Sequence, residues 1–407
     1  MEPAAKPERY SSLDSLRAAM MLLGIYIHAV APFSTLPDVW WYRDAAACPA
    51  FDLQLLVIHT FRMPVFFAMA GFFGALLLAR QGSAAFLRNR GQRILLPLLA
   101  ALAFGIPLLK ALQLVQRLLA ATGEVRIQDF LAWYPRLLSD FNAGPYWFLL
   151  TLVQFYALAL LLRPFGKLFA DRKAAEAAAR VADRLFTAAW GPSALALLSM
   201  AGLAAVPAGV FPAPQGFLPE ARVLGVYAPF ILFGWMLYHR RHRLQGFVQG
   251  AWRHLGLGLL WMVATLAAVS AQLGNADGKS VAFIATVVAG SLCVWEMLYA
   301  LLGLFQRYLG TEHRVLKYLS DSSYWLYLAH SPVLLAVQLL VFRTAWPGSL
   351  KLAATLALAV PILLASYHLL VRSTWIGAWL NGRRHPRRSP IAGGLGGVRP
   401  RAASLNA

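Results

Sequence analysis

Two ionisable residues on one apolar stretch carry the first chemical signal in this chain. Arg17 lies at the start of the segment 16–34 and His28 lies eleven residues further on. At about 100° per residue that spacing falls within about 20° of three full turns, so the two share one helix face, about 16 Å apart along the axis. Ionisable groups inside apolar spans are costly and read first as functional. Arg17 is open to two readings, an anion site or a side chain snorkelling to lipid phosphate. His28 is open to two as well: a working imidazole at the end of a path from that anion site, or a neutral ring bonded to a carbonyl of another helix.

A second constellation lies in "VIHTFRMPVFFAMAGFF", where His59 and Arg62 stand at i, i+3 on one face. Pro64 frees a backbone carbonyl there, and Gly71 allows a close helix approach. A late segment, "SDSSYWLYLAHSPVLL", places Tyr324, Tyr327 and His330 at i, i+3, i+6, a polar stripe leading to a histidine in mid-span. Packing or an interfacial aromatic belt is the alternative for the tyrosines. Glu296 is a lone carboxylate in another apolar run, to be paired with Arg62 or another buried base, or protonated. In "RNRGQRILLP", Arg90 and Arg93 make an i, i+3 fork suited to phosphate, which ordinary topological charge explains equally well.

Several chemistries lack their signatures. His28, His59 and His330 come from separate segments without clustered ligand spacing, so no metal site is expected. There is no phosphate-binding loop, no G-x-S-x-G and no dinucleotide fingerprint.

The elements that must position these residues are membrane helices. Of 407 residues, 59% are hydrophobic and 13% charged, with a mean hydropathy of +0.58, too little polar coat for a soluble globule. Ten segments reach the length of about 20 residues that a bilayer core demands: 16–34, 54–78, 94–116, 146–163, 188–207, 222–239, 254–273, 281–305, 321–341 and 350–371. With the N-terminus inside, the inner segments carry 27 Lys and Arg and the outer ones 7. That asymmetry is a positive-inside signal, and it accounts for the net charge of +20 without nucleic acid. The expectation is an all-α integral membrane protein of about ten transmembrane helices with both termini cytoplasmic. Residues 1–371 form one transmembrane domain and 372–407 a basic, disordered cytoplasmic tail. Ala29-Val30-Ala31 could be read as a signal-peptide cleavage site. Cleavage there would discard Arg17 and His28, so the stretch is retained as a span. Two cysteines, Cys48 and Cys293, imply no disulfide framework.

The segments "RYSSLDSLRAAMMLLGIYIHAVAPFS", "VIHTFRMPVFFAMAGFFGALL", "RNRGQRILLP", "YWFLLTLVQFY" and "DSSYWLYLAHSPV" resemble, in order, those of the acyltransferase-3 family of multi-span membrane O-acyltransferases. The chain looks most like the branch associated with succinylation of periplasmic glucans. The most specific match is Arg17, ten residues, His28; Arg90 and Arg93 match the family's R-x-x-R, and His330 falls at its late Y-x-x-H. The family's serine in "SGF/SGY" is replaced by Ala70, so any role for that serine is lost here.

The resemblance implies an enzyme of the bacterial inner membrane that moves an acyl group, succinyl or acetyl, from a cytoplasmic acyl-CoA to a hydroxyl of a periplasmic glycan. No bound cofactor is expected, only acyl-CoA as co-substrate. The partners are the acyl donor, the glycan and the lipid bilayer. Joined to the chemistry of ester formation, the resemblance makes His28 the general base and His330 a second base or oxyanion donor. Arg17, Arg90 and Arg93 would hold coenzyme A phosphates, and Arg62 a carboxylate. His59 and the tyrosines, Tyr327 among them, would position the acceptor, and Glu296 would sit among the binding groups. The competing reading is a transporter of a carboxylate or saccharide that uses the same buried residues.

Overall fold

The helix carrying Arg17 and His28, α1 (Ser11–Val30), sits inside the bundle, packed against four other helices. The computed structural model describes residues 10–37, 39–139, 141–168, 172–274, 280–311 and 313–381. Among these no strand occurs. After α1 come α2 (Pro49–Arg90), α3 (Leu96–Ala100), α4 (Ile106–Ala121), α5 (Ile127–Ser139), α6 (Trp147–Leu168), α7 (Arg172–Thr187), α8 (Gly191–Ala204) and α9 (Ala221–His239). The chain continues with α10 (Gly246–Leu273), α11 (Val281–Leu309), α12 (Arg314–Val341), α13 (Gly348–Ser366) and α14 (Trp375–Asn381).

The partners of α1 are α2, α11, α12 and α13, while α2 lies along α9 and α10 along α11. Lipid offers no backbone partners, so helices that satisfy their own hydrogen bonds are the form such an apolar chain must take.

Eight helical stretches among the described residues are long and apolar enough to cross a bilayer, against the ten expected. Two differences account for the count. The stretch Pro49–Ala121 has 73 residues and contains the second and third expected spans. Within it Gly82 adopts φ 74°, ψ 174°, a conformation open to glycine at little cost, and the helix is interrupted there. The fifth expected span, 188–207, is the second half of a bent pair, Ala179–Thr187 with Gly191–Ala204, that is long and apolar enough to cross only if the two halves make one broken span. Helix α8 has only 14 residues, about 21 Å of rise against a core of about 30 Å, and it meets the end of α7 at 112°. Gly191-Pro192 after Trp190 starts a new helix instead of continuing α7.

The boundary set for the tail also shifts. Past Val371 the chain forms α14, which packs against α12 and the turn 91–95. The remainder of the expected tail, 382–407, lies outside the described residues.

Two glycines set the contact between α2 and α9. A Cβ on Gly71 would lie 2.1 Å from the Ile231 carbonyl oxygen, and one on Gly234 would lie 1.7 Å from that of Ala68. Helices in lipid associate largely by such close packing. Gly71→Ala and Gly234→Ala are each expected to lower stability by about 1–3 kcal/mol, because backbone must move to admit the methyl group. Gly74→Ala, whose Cβ would meet nothing nearer than 4.0 Å, should be neutral. Thermal unfolding in detergent checks all three.

Candidate active site

The eleven-residue period on α1 puts Arg17 and His28 at two places along one cavity of about 540 Å³. Its walls come from α1, α2, α6 and α12, and Arg62, Arg90, Arg93, Tyr324, Tyr327 and His330 all line it. Six aromatic and thioether side chains from α2 and α6 (Met63, Phe66, Met69, Phe73, Phe148 and Tyr156) make most of the rest apolar.

At one end the arginines are held in place. Arg17 Nη2 donates to Ser320 Oγ at 2.8 Å and pairs with Asp14 Oδ1 at 3.2 Å. Its guanidinium also lies 5.3 Å from the centroid of Phe73. Arg90 rests over Phe86 and Tyr156 at 5.3 and 5.6 Å, and its Nη2 reaches the Phe73 carbonyl at 3.5 Å. Arg93 sits in a π-helical turn, Gly91–Leu95, that continues directly from α2. Such turns are frequent at functional sites because they re-aim side chains by one position. Tyr324 donates its hydroxyl to the Arg93 carbonyl and so ties that turn to α12.

Toward the other end the two histidines meet. The rings of His28 and His330 lie 5.1 Å apart between centroids. His330 is 2% exposed, and its Nδ1 lies 2.7 Å from the Tyr327 carbonyl. A carbonyl only accepts, so the proton sits on Nδ1. Nε2 then takes the Ser331 hydroxyl at 3.1 Å. Both nitrogens of His330 are thus occupied within its own helix. The ring nitrogens of His28 have no such partner among the described residues, which leaves this imidazole available to accept a proton from a ligand.

Arg62 enters between the two ends. A Cβ on Gly24 would lie 2.3 Å from Arg62 Nη1, so the guanidinium lies directly against the backbone of α1. Its Nε is buried without a hydrogen-bond partner among the described residues, and no carboxylate there neutralises it. A buried, uncompensated guanidinium is costly and is suited to an anion. Tyr327 stands beside it in the lining, donating its hydroxyl to the Pro145 carbonyl at 2.9 Å.

Two expected site residues are not brought here. His59 Nε2 bonds the Phe211 carbonyl at 2.7 Å, and the residue lines a separate small cleft. Three residues on a helix are about 300°, leaving about 60° between side chains, and that divergence sends His59 and Arg62 into different interfaces. Glu296 pairs with His254 Nδ1 at 2.6 Å between α11 and α10, with neither side chain more than 7% exposed. Of the alternatives open to this carboxylate, the structure shows another buried base, His254 on the adjacent helix, and not Arg62.

The sequence reading missed Ser320, whose hydroxyl holds Arg17, and Tyr156, which supports Arg90. The run Ser320-Asp321-Ser322-Ser323 at the head of an apolar span was the signal for the first. Among the described residues no group of three or more His, Cys, Asp or Glu side chains could hold a metal ion.

Residues 10–371 match the acyltransferase domain family, Acyl_transf_3. Among curated relatives, the glucans biosynthesis protein C of Salmonella schwarzengrund is 38% identical over 117 residues, 28% of each chain. That of Escherichia coli K12 is 32% identical over 162 residues, 39% of this chain and 40% of the relative. The aligned part thus spans well under half the length of the curated relatives. No solved structure matches. A match over nearly the whole chain makes the protein a member of the acyltransferase-3 family, and its long apolar helices are those of a multi-pass membrane protein.

Proposed function

We propose that this acyltransferase moves a succinyl group from coenzyme A, bound at the Arg17–Arg90–Arg93 end of the cavity, to a hydroxyl of a glycan on the opposite side of the bacterial inner membrane. The observation that carries the reading is the single cavity joining three arginines to an unengaged imidazole. This reading takes both termini, and with them the arginine end, as cytoplasmic, in keeping with the excess of Lys and Arg on that side. Coenzyme A is available there, and guanidinium forks suit its phosphates. The names of the curated relatives support a glucan as acceptor. Arg62 favours succinyl over acetyl, because a succinyl group brings a carboxylate to a guanidinium that has none.

The chemistry follows from the proton positions. His28 accepts the hydroxyl proton as the acceptor oxygen bonds to the thioester carbonyl carbon. The tetrahedral intermediate then collapses, the C–S bond breaks, and the imidazolium returns its proton to the departing thiolate. The products are an ester and free coenzyme A. His330 carries its proton on Nδ1, directed at the Tyr327 carbonyl, so its neutral ring has no N–H to offer an oxyanion. It acts as the neighbour that packs against His28. Arg62 is the group placed to hold developing negative charge or the distal carboxylate.

Mass spectrometry of periplasmic glycans from cells with and without the protein tests the assignment. Gain of a succinyl mass supports it, gain of an acetyl mass overturns the donor, and an unchanged glycan overturns the acceptor. His28→Ala should lower transfer by roughly 10²–10⁴-fold with normal membrane abundance. Arg90→Ala and Arg93→Ala should each raise the donor KM about 10-fold or more, the worth of one charge-assisted contact, with the acceptor KM unchanged. Arg62→Lys, which loses the planar fork, should reduce the preference for succinyl- over acetyl-CoA by about 10-fold in direct competition.

A further inference from the structure

Beyond the cavity, at the end opposite Arg17, the segment between α1 and α2 brings an indole against the far histidine. The ring of Trp40 lies 5.5 Å from that of His28 at an interplanar angle of 36°, and Trp41 stacks on Trp40 at 3.7 Å. Neither tryptophan lines the cavity. Both indole N–H groups are buried without a hydrogen-bond partner among the described residues. Indole nitrogen only donates, so each N–H is suited to an oxygen acceptor.

This segment is fastened on both sides of the indole pair. Ahead of it, the Asp52 carboxylate accepts from Ser34 Oγ at 2.6 Å, from the Thr35 N–H at 2.7 Å and from the Thr35 hydroxyl. Behind it, Lys351 Nζ donates to both oxygens of Asp44 at 2.8 and 3.0 Å, and to the Phe342 carbonyl at 3.1 Å. The Lys351 and Asp44 side chains are each only 2% exposed. Backbone bonds from Asp44 to Pro32 and from Cys48 to Phe33 close the segment onto α1. A buried ion pair contributes little net stability, and its best-attested use is to specify a geometry. What these anchors specify is where the indoles stand relative to His28.

We propose that Trp40 and Trp41 form the acceptor subsite, on which a pyranose ring stacks so that one hydroxyl reaches His28. This rests on the transfer reading above. An indole presents a broad apolar face with a negative quadrupole, which suits the C–H face of a sugar, and its N–H donates to a ring hydroxyl. Arg43, the segment's one guanidinium, donates to the Thr35 and Leu36 carbonyls at 2.7 and 3.3 Å. A hydroxyl-rich ring is the chemistry that uses both the indole faces and the indole donors.

The test uses the full-length protein in lipid nanodiscs, with succinyl-CoA and a β-linked glucose oligosaccharide as probes. Sugar ester and free thiol are measured separately. Trp40→Ala should raise the acceptor KM roughly 10-fold and leave the donor KM within about twofold, while Trp40→Phe keeps the stacking face and stays near wild type. An unchanged acceptor KM in Trp40→Ala, with sugar ester still formed, overturns this subsite alone and leaves the transfer reading standing. Equal changes in both KM values, or loss in Trp40→Phe as large as in Trp40→Ala, would mark Trp40 as structural and also overturn it. Wild-type protein that releases thiol but forms no sugar ester sinks the glycan acceptor, and this subsite with it.

Discussion

Lipid makes an isolated charge expensive, and that cost dictates where a membrane enzyme can keep its reactive groups. Here the solution is one helix used along its length. Because eleven residues close three turns, α1 turns a single face toward the cavity at both Arg17 and His28. That face can be polar only because the rest of α1 is enclosed by α2, α11, α12 and α13. Gly24 lies between the two residues and has no side chain to hold Arg62 away. Arg62 can therefore come from α2 to lie against α1 at mid-cavity.

The buried charges divide into two populations. Asp44 with Lys351 and Glu296 with His254 are mutually satisfied and join one element to another. Arg62 and Arg90 are different. Their contacts in the protein are carbonyls, aromatic faces and glycine backbone, and neither has a carboxylate partner among the described residues. A guanidinium held by neutral groups keeps its charge for a ligand, whereas one held by a carboxylate has already used it. That distinction, more than burial itself, separates the groups able to bind substrate from those that hold the bundle together. Arg17 stands between the two, paired with Asp14 yet lining the cavity beside Ser320.

The same distinction explains how far the sequence could be read. Period along one helix showed that Arg17 and His28 share a face and that Tyr324, Tyr327 and His330 form a stripe, and all five line the cavity. Gly71 was legible because a small residue in an apolar run has few other uses. Period does not reveal which neighbour a face meets. His59 and Arg62 are close enough on the helix to be read as one site, yet they straddle an interface and separate. Glu296 needed a base, and nothing in its own segment could say that α10 would supply His254. Residues 188–207 were apolar enough to span, but Gly191-Pro192 bends the chain and leaves α8 short. Val371 marked the end of hydropathy and not the end of structure, since α14 follows and its Leu380 reaches the cavity lining.

The apolar lining is part of the chemistry rather than a residue of the lipid setting. Acyl transfer from a thioester competes with hydrolysis, and the base that activates an alcohol also activates water. In the proposed transfer, excluding water would strengthen the pull of Arg62 on an anionic group and protect the thioester. Met63, Phe66 and Phe148 lining the cavity and the Trp40 ring against His28 both serve that end. A sugar stacked on Trp40 would displace nothing from the cavity itself, because the indole lies outside it. Its hydroxyl would approach His28 from one direction and the thioester from the other, so that the imidazole is the one basic group both substrates can reach. In the proposed transfer, two substrates of unlike chemistry would then meet at one histidine, each reaching it from its own side.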